Sequence, residues 1–189
     1  MDLPEAERSR LSEVFRQAQE RGWIGRQAVD QHIHHALGFA AVAAGPPGLA
    51  VDVGSGGGLP ALVLAAVWPQ SEWVLTESSL PRAAFLELQC ARLGWSERVR
   101  VHHGPAQSLG GQAQFRARVD LVTARGFGSP EVIVELASQL LRVGGELVVS
   151  AAPNAVPWPP DQLRTHSMTA DRLTPSSPRF HRSTRLCFT

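Results

Sequence analysis

Val51-Asp52-Val53-Gly54-Ser55-Gly56-Gly57-Gly58-Leu59-Pro60 decides the fold of this chain. An apolar run enters a glycine cluster, and the alanine-rich stretch Ala61–Val67 follows. The pattern reads as strand, tight loop, helix. Glycines in such a loop let a small ligand approach backbone N–H groups at a helix N-terminus. A second apolar run, Trp73-Val74-Leu75-Thr76, closes on Glu77. An acid at the end of the second strand can accept hydrogen bonds from both hydroxyls of a ribose. These two segments predict an adenosine-containing ligand at the carboxyl edge of a parallel sheet. The dinucleotide fingerprint fails, because Leu59 stands where a small residue is required. A phosphate-binding Gly-Lys-Ser/Thr loop is excluded, because the chain has no lysine.

The same alternation continues outward from the glycine loop. Strands are expected at 49–53, 72–76, 98–102, 120–124 and 146–150, with helices at 59–67, 81–93 and 130–141 between them. Pro81 and Gly94 bracket the middle helix as helix ends prefer. Repeated strand–helix units argue for an α/β fold with a mostly parallel central sheet and helices on both faces. Residues 152–181, rich in proline and serine, read as largely irregular, and 184–188 as a final strand. Ahead of the sheet, Leu11, Val14, Phe15 and Ala18 define an amphipathic helix over 4–21. Gly22 and Gly25 flank a break, and a second helix is expected over 26–44, ending at Gly45-Pro46-Pro47-Gly48. The division is therefore an N-terminal helical extension, 1–45, and a ligand-binding α/β domain, 46–189.

At 189 residues the chain can bury one sizeable core, and 43% hydrophobic residues suit a globular protein. A net charge of +1 creates no global field to recruit nucleic acid. All 18 residues counted as lysine or arginine are arginines. Phosphate contacts must therefore come from arginine, histidine or backbone. Arg8, Arg10, Arg16, Arg21 and Arg26 are interleaved with Glu5, Glu7, Glu13 and Glu20, as on a solvated helix with paired charges. Arg179, Arg182 and Arg185 form a second group with fewer acids nearby. Cys90 and Cys187 lack the spacing of a zinc site or a disulfide framework, and Cys90 reads as a core residue. His32, His34 and His35 are close in sequence, but no carboxylate follows at ligand spacing, so no metal is expected. No apolar stretch is long enough to span a bilayer, and the charged N-terminus lacks a signal-peptide core. Cytoplasmic residence and a monomer are the expectations.

Asp52-x-Gly54-x-Gly56-x-Gly58 followed by Glu77 resembles the first two motifs of Rossmann-like S-adenosylmethionine (SAM) methyltransferases. Four segments narrow the likeness. Asp52 through Pro60, Glu77-Ser78 with Phe85-Leu86, Thr123-Ala124-Arg125-Gly126 and His32-Ile33-His34-His35-Ala36-Leu37 are similar, in order and spacing, to the bacterial 16S rRNA guanine-N7 methyltransferase family, also known as the glucose-inhibited division protein B family. The likeness spans roughly residues 25–150. Where the family has Asp-Ser after its early histidine this chain has His35-Ala36, and Gly-Arg-Ala-Glu after strand three is replaced by Gly104-Pro105-Ala106-Gln107. A basic pair is reduced to Pro81-Arg82, and a lysine near strand five is replaced by Ser150-Ala151-Ala152-Pro153. The SAM half of the pattern is retained, and the half facing RNA is thinned.

The resemblance implies methyl transfer from SAM to guanine N7 of 16S rRNA in the small ribosomal subunit. The alternatives are a SAM-dependent enzyme with a small-molecule acceptor and a SAM-binding paralogue without turnover. Gly54, Ser55, Gly56, Gly58 and Leu59 would form the loop against the methionine part of SAM. Asp52 would order that loop and reach the SAM amino group. Glu77 would hold the ribose, with Ser78 assisting through its backbone. Ala106 and Gln107 would lie at the adenine edge. Arg125 would contact SAM or substrate near the transferred methyl, and His32 would form an active-site wall. Guanine N7 needs no deprotonation, so alignment can supply most of the catalysis. For a hydroxyl or carbon acceptor a base is required, and His32, His34 and His35 are the candidates.

Overall fold

The computed structural model describes residues 3–150 and the backbone of two further strands, 168–171 and 183–188. Two helices, α1 (Glu5–Glu20) and α2 (Val29–Val42), precede the sheet. Then come β1 (Leu49–Val53), α3 (Ala61–Val67), β2 (Glu72–Glu77), α4 (Leu80–Leu93), β3 (Val99–His103), α5 (Gln107–Gly110), β4 (Val119–Arg125), α6 (Pro130–Leu140) and β5 (Leu141–Ser150). The last strands are β6 (Met168–Asp171) and β7 (Ser183–Phe188).

The sheet order is β3-β2-β1-β4-β5-β7-β6. The first five strands run parallel, and β7 is antiparallel to both β5 and β6. The chain starts in the middle of the sheet at β1, moves out through β2 and β3, and returns to β4 on the other side. That reversal leaves a crevice at the carboxyl ends of β1 and β4, where ligands bind in open α/β sheets. Register brings the relevant ends level: Val53 pairs with Thr76 on one side and Ala124 on the other. Gly54, Glu77 and Arg125 therefore begin at one edge.

Strand alternation divides the core in two. Trp73 and Leu75 face the layer of α1, α2, α3 and α4, while Val74 faces α5 and α6. Leu11, Val14, Phe15 and Ala18, the stripe read from the sequence, are the buried face of α1. They share one apolar cluster with α3 and α4. Each fully buried leucine or phenylalanine there contributes about 1.5–3 kcal/mol. Cys90 is buried in the same cluster, and burial pushes its thiol up to about 12.

Four expectations are corrected. Helix α2 starts at Val29 rather than Arg26, because residues 23–28 form a bent strap tied down by Gln19. Gln19 Nε2 donates to the carbonyls of Gly25 and Gln27 at 2.7 and 2.6 Å. Strand β5 starts at Leu141 rather than Glu146. The Gly144-Gly145 pair is a bulge inside it, with Val119 paired to Leu141 and Leu121 to Glu146. A Cβ on Gly145 would lie 2.9 Å from the Val119 carbonyl oxygen. Strand β2 runs to Glu77, one residue past the expected end at 76. A strand, β6, interrupts the stretch read as irregular, and the rest of that stretch lies outside the described residues. The final strand, β7, is present and antiparallel. No helix among the described residues is long and apolar enough to cross a membrane.

Candidate functional site

The glycine loop is built on the end of β1 and tied to β2. Ser55 N–H donates to the Thr76 carbonyl at 2.9 Å, and Gly54 N–H to Thr76 Oγ1 at 3.2 Å. Thr76 Oγ1 in turn donates to the Asp52 carbonyl at 3.0 Å. Gly54 has φ +69°, and a Cβ there would lie 2.5 Å from Phe127 Cδ2. Glycine is required at this position on both counts.

Glu77 is buried and spans the loop ends. Its Oε2 accepts from Gly56 N–H at 2.9 Å and its Oε1 from Ser79 N–H at 2.8 Å. Ser79 thus supplies a backbone donor to the carboxylate, and the Ser78 side chain is exposed. A carboxylate has about four acceptor positions, so two remain for further donors such as ribose hydroxyls.

Asp52 is fully buried. Its Oδ1 accepts from Thr123 Oγ1 at 2.6 Å, and its Oδ2 has no partner. Burial pushes this carboxyl up to about 6, against the Ser55 and Thr123 hydroxyls and the Arg125 charge, which hold it lower than burial alone would. A buried acceptor without a donor is costly. It is the kind of group a cationic ligand atom would satisfy.

Arg125 and His32 meet, although they are far apart in sequence. Arg125 Nη2 lies 3.2 Å from His32 Nδ1, and His32 Nε2 lies 2.9 Å from the Gly25 carbonyl oxygen. A carbonyl only accepts, so Nε2 carries the proton and Nδ1 accepts from the guanidinium. Burial and then the Arg125 charge lower the imidazole pKa, against the Gly25 hydrogen bond. His32 is thus neutral and positions Arg125. We expect the Nε2–H tautomer in long-range nitrogen–proton NMR spectra at pH 7. Acidification that protonates Nδ1 should broaden the Arg125 side-chain signals in the same step. The stability His32 contributes is present at neutral pH and lost as pH falls below its unfolded value of about 6.5.

A cavity of about 300 Å³ lies over this edge. It is lined by Gly54, Ser55, Gly56, Gly57 and Leu59 from the loop, by Arg82 at the start of α4, and by Arg125 and Gly126. Trp23, Ile24 and Gly25 of the strap complete it. None of these lining residues carries a carboxylate, and two are arginines. The strap sits directly on the loop: a Cβ on Gly57 would lie 2.5 Å from Ile24 Cγ2 and 3.0 Å from the Ala18 Cβ. Gly57→Ala should therefore lift the strap and destabilise the fold by about 1–3 kcal/mol, read by urea unfolding.

Of the residues singled out from the sequence, the structure brings Gly54, Ser55, Gly56, Leu59, Arg125 and His32 to the cavity or its wall. Asp52 and Glu77 support the loop beneath it. Gly58 is buried, with φ +97° and its Cα side facing Leu62, away from the cavity. Ala106 and Gln107 lie at the same edge beyond β3, outside the cavity, with Ala106 buried and Gln107 exposed. His34 is exposed and His35 packs its ring 5.9 Å from Phe39. Among the described residues no group of three His, Cys, Asp or Glu is placed to hold a metal ion. Arg10 and Arg16 pair with Glu7 and Glu13 at 2.8 and 2.5 Å, as expected of a solvated helix. The side chains of Arg179, Arg182 and Arg185 lie outside the described residues.

Sequence reasoning missed Trp23, Ile24, Gly57 and Arg82 as site residues. The available signals were an apolar pair inside a break between two amphipathic helices, and a basic residue one turn after the strand-end acid.

Known proteins share the fold and part of the sequence. Over 105 residues the chain is 37% identical to Ribosomal RNA small subunit methyltransferase G of Streptococcus gordonii, covering 56% of this chain and 44% of that protein. The enzyme of the same name from Streptococcus pyogenes serotype M12 is 33% identical over 127 residues, 66% of this chain and 53% of its own length. The chain thus spans about half the length of the curated relatives it matches. Among solved structures, the O-methyltransferase from Bacillus cereus in complex with SAH superposes with a TM-score of 0.66 at 15% identity, over 94% of this chain and 89% of that one. A methyltransferase from Geobacter sulfurreducens gives 0.62 at 18% identity, over 95% and 87%. The fold is Rossmann-like, of the methyltransferase type. Residues 26–154 match the rRNA small subunit methyltransferase G family, and on that match the chain belongs to it.

Proposed function

We propose that this chain is a SAM-dependent methyltransferase acting on guanine N7 of 16S rRNA in the small ribosomal subunit. The observation that carries the reading is the family match over residues 26–154, which contains the whole glycine-loop edge. The residues present fit SAM. Glu77 has acceptor positions left for ribose hydroxyls, and the unpartnered Asp52 Oδ2 suits an ammonium group. Ala106 and Gln107 would border the adenine, and Gly56, where a Cβ would meet only the Gly54 carbonyl oxygen at 3.8 Å, leaves the loop open to close approach. When bound, SAM supplies a methyl group on a positively charged sulfur.

The chain's own work is then positioning. Guanine N7 carries a free lone pair, so no side chain is asked to remove a proton. His32, neutral and hydrogen-bonded on both ring nitrogens, holds Arg125 at the cavity wall rather than acting as a base. Arg125 supplies positive charge for the SAM carboxylate, and Arg82 for phosphate.

A second reading is a methyltransferase with a small acceptor. The pairing of Arg10 with Glu7 and of Arg16 with Glu13 favours it, because it offsets basic charge that RNA would draw on along α1. One experiment separates the two. Purified protein and methyl-labelled SAM are incubated with unmodified small subunits, with naked 16S rRNA and with a small-metabolite extract, and digested products are analysed by mass spectrometry. 7-Methylguanosine from subunits or rRNA is the expected product. Label in the metabolite fraction alone would replace the rRNA reading, and SAM binding without label anywhere would leave a binding protein.

A further inference from the structure

Trp23 is the least expected residue in the cavity wall, and its placement is fixed. Helix α1 ends in a paired cap: Gly22 N–H donates to the Gln19 carbonyl and Trp23 N–H to the Ala18 carbonyl, both at 2.9 Å. Gly22 has φ +69°, the left-handed residue such a cap requires. The indole therefore leaves a rigid helix end rather than a loose loop. Its ring meets Phe85 of α4 edge to face, with centroids 5.2 Å apart at 73°. The Arg21 guanidinium lies over both rings, 5.7 Å from Trp23 and 5.4 Å from Phe85, and is tied back to the Gln17 carbonyl at 2.7 Å.

One side of the indole is thus occupied by protein, yet Trp23 also lines the cavity with Arg82 and Arg125. A half-buried aromatic surface beside two arginines, with no carboxylate on the wall, suits a flat ring attached to a phosphate chain. The cavity excludes the β3 end of the edge, where Ala106 and Gln107 lie. It sits instead over the glycine loop and Arg125, toward β4.

Resting on the functional reading above, we infer that Trp23 is the stacking platform for the acceptor base of a single-stranded or unstacked RNA nucleotide, with Arg82 contacting its phosphate. Trp23 is then a specificity-determining residue for nucleic acid over small neutral acceptors.

The test is binding, not turnover. A short fluorescein-labelled single-stranded RNA containing guanine is titrated with the protein by anisotropy, and S-adenosylhomocysteine affinity is measured separately by calorimetry. Trp23→Ala should weaken RNA binding about tenfold, and Trp23→Phe by no more than about threefold. Trp23→Met keeps apolar packing on Phe85 and should lose RNA affinity as Trp23→Ala does, with wild-type melting. Arg82→Ala should reduce the slope of log affinity against log salt by about 0.7. S-adenosylhomocysteine affinity should stay within about twofold in all four, since their contacts lie with the acceptor. Wild-type-like RNA binding by Trp23→Met, no RNA binding by the wild type, or equal loss of both ligands would overturn the inference. Failure of the rRNA reading shows differently, as absent 7-methylguanosine with the Trp23 dependence of RNA binding intact.

Discussion

Asp52→Asn stabilises the folded chain at pH 8 while weakening its hold on SAM. Burial lifts the Asp52 carboxyl from 3.8 to about 6, so the folded state resists carrying this charge. A raised folded value means its stabilising contribution is full below pH 3.8 and lost as pH rises through about 6. At pH 8 the wild type carries the whole penalty, and removing the charge should return about 1–3 kcal/mol. At pH 4 most of the gain should vanish, because the wild type is already protonated. Asparagine keeps an oxygen for the Thr123 hydroxyl, and its amide nitrogen takes the unpartnered place of Oδ2, so a buried charge is exchanged for a less costly neutral group. Urea unfolding of both proteins at pH 8 and pH 4 checks the sign. A variant less stable than wild type at pH 8 would show that Oδ2 is satisfied in solution. For the ligand the direction reverses: loss of the charged acceptor should raise the SAM dissociation constant about 10- to 100-fold. Stability and affinity moving in opposite directions is the signature of a group retained for binding.

Glu77→Ala should have the largest combined effect. The carboxylate accepts from Gly56 and Ser79 at once, so alanine leaves two backbone donors without partners. The expected destabilisation is about 2–4 kcal/mol, and SAM affinity should fall about 100-fold or more. Glu77→Gln restores one acceptor but turns an amide donor toward the other N–H. It should recover part of the stability and little of the binding. Thermal unfolding and calorimetric titration of both variants measure this. Glu77→Ala with wild-type stability would mean that the glycine loop stands without its carboxylate clamp.

The two variants also show what was legible in the sequence. Asp52, the glycines and Glu77 were readable because their roles follow from local order: strand, loop, strand-end acid. The α1 stripe of Leu11, Val14, Phe15 and Ala18 was readable because burial follows helical period. Trp23 and Ile24 were not. Their burial depends on α1 folding back over the loop, a long-range contact that no window around residue 23 contains. The meeting of His32 with Arg125 is hidden for the same reason, since α2 and β4 are joined only by packing. The early start of β5 was masked by Gly144-Gly145, a turn signal that here forms a bulge. What the sequence misassigned in β6 is a short strand whose pairing partner, β7, comes after a long intervening stretch.

The most direct test of the account is a crystal structure of the chain with S-adenosylhomocysteine. Ribose hydroxyls should lie on the Glu77 carboxylate, the amino group on Asp52 Oδ2, and the sulfur facing the cavity shared by Trp23, Arg82 and Arg125. Ligand density away from the glycine loop, or an amino group that leaves Asp52 Oδ2 unpaired, would contradict it.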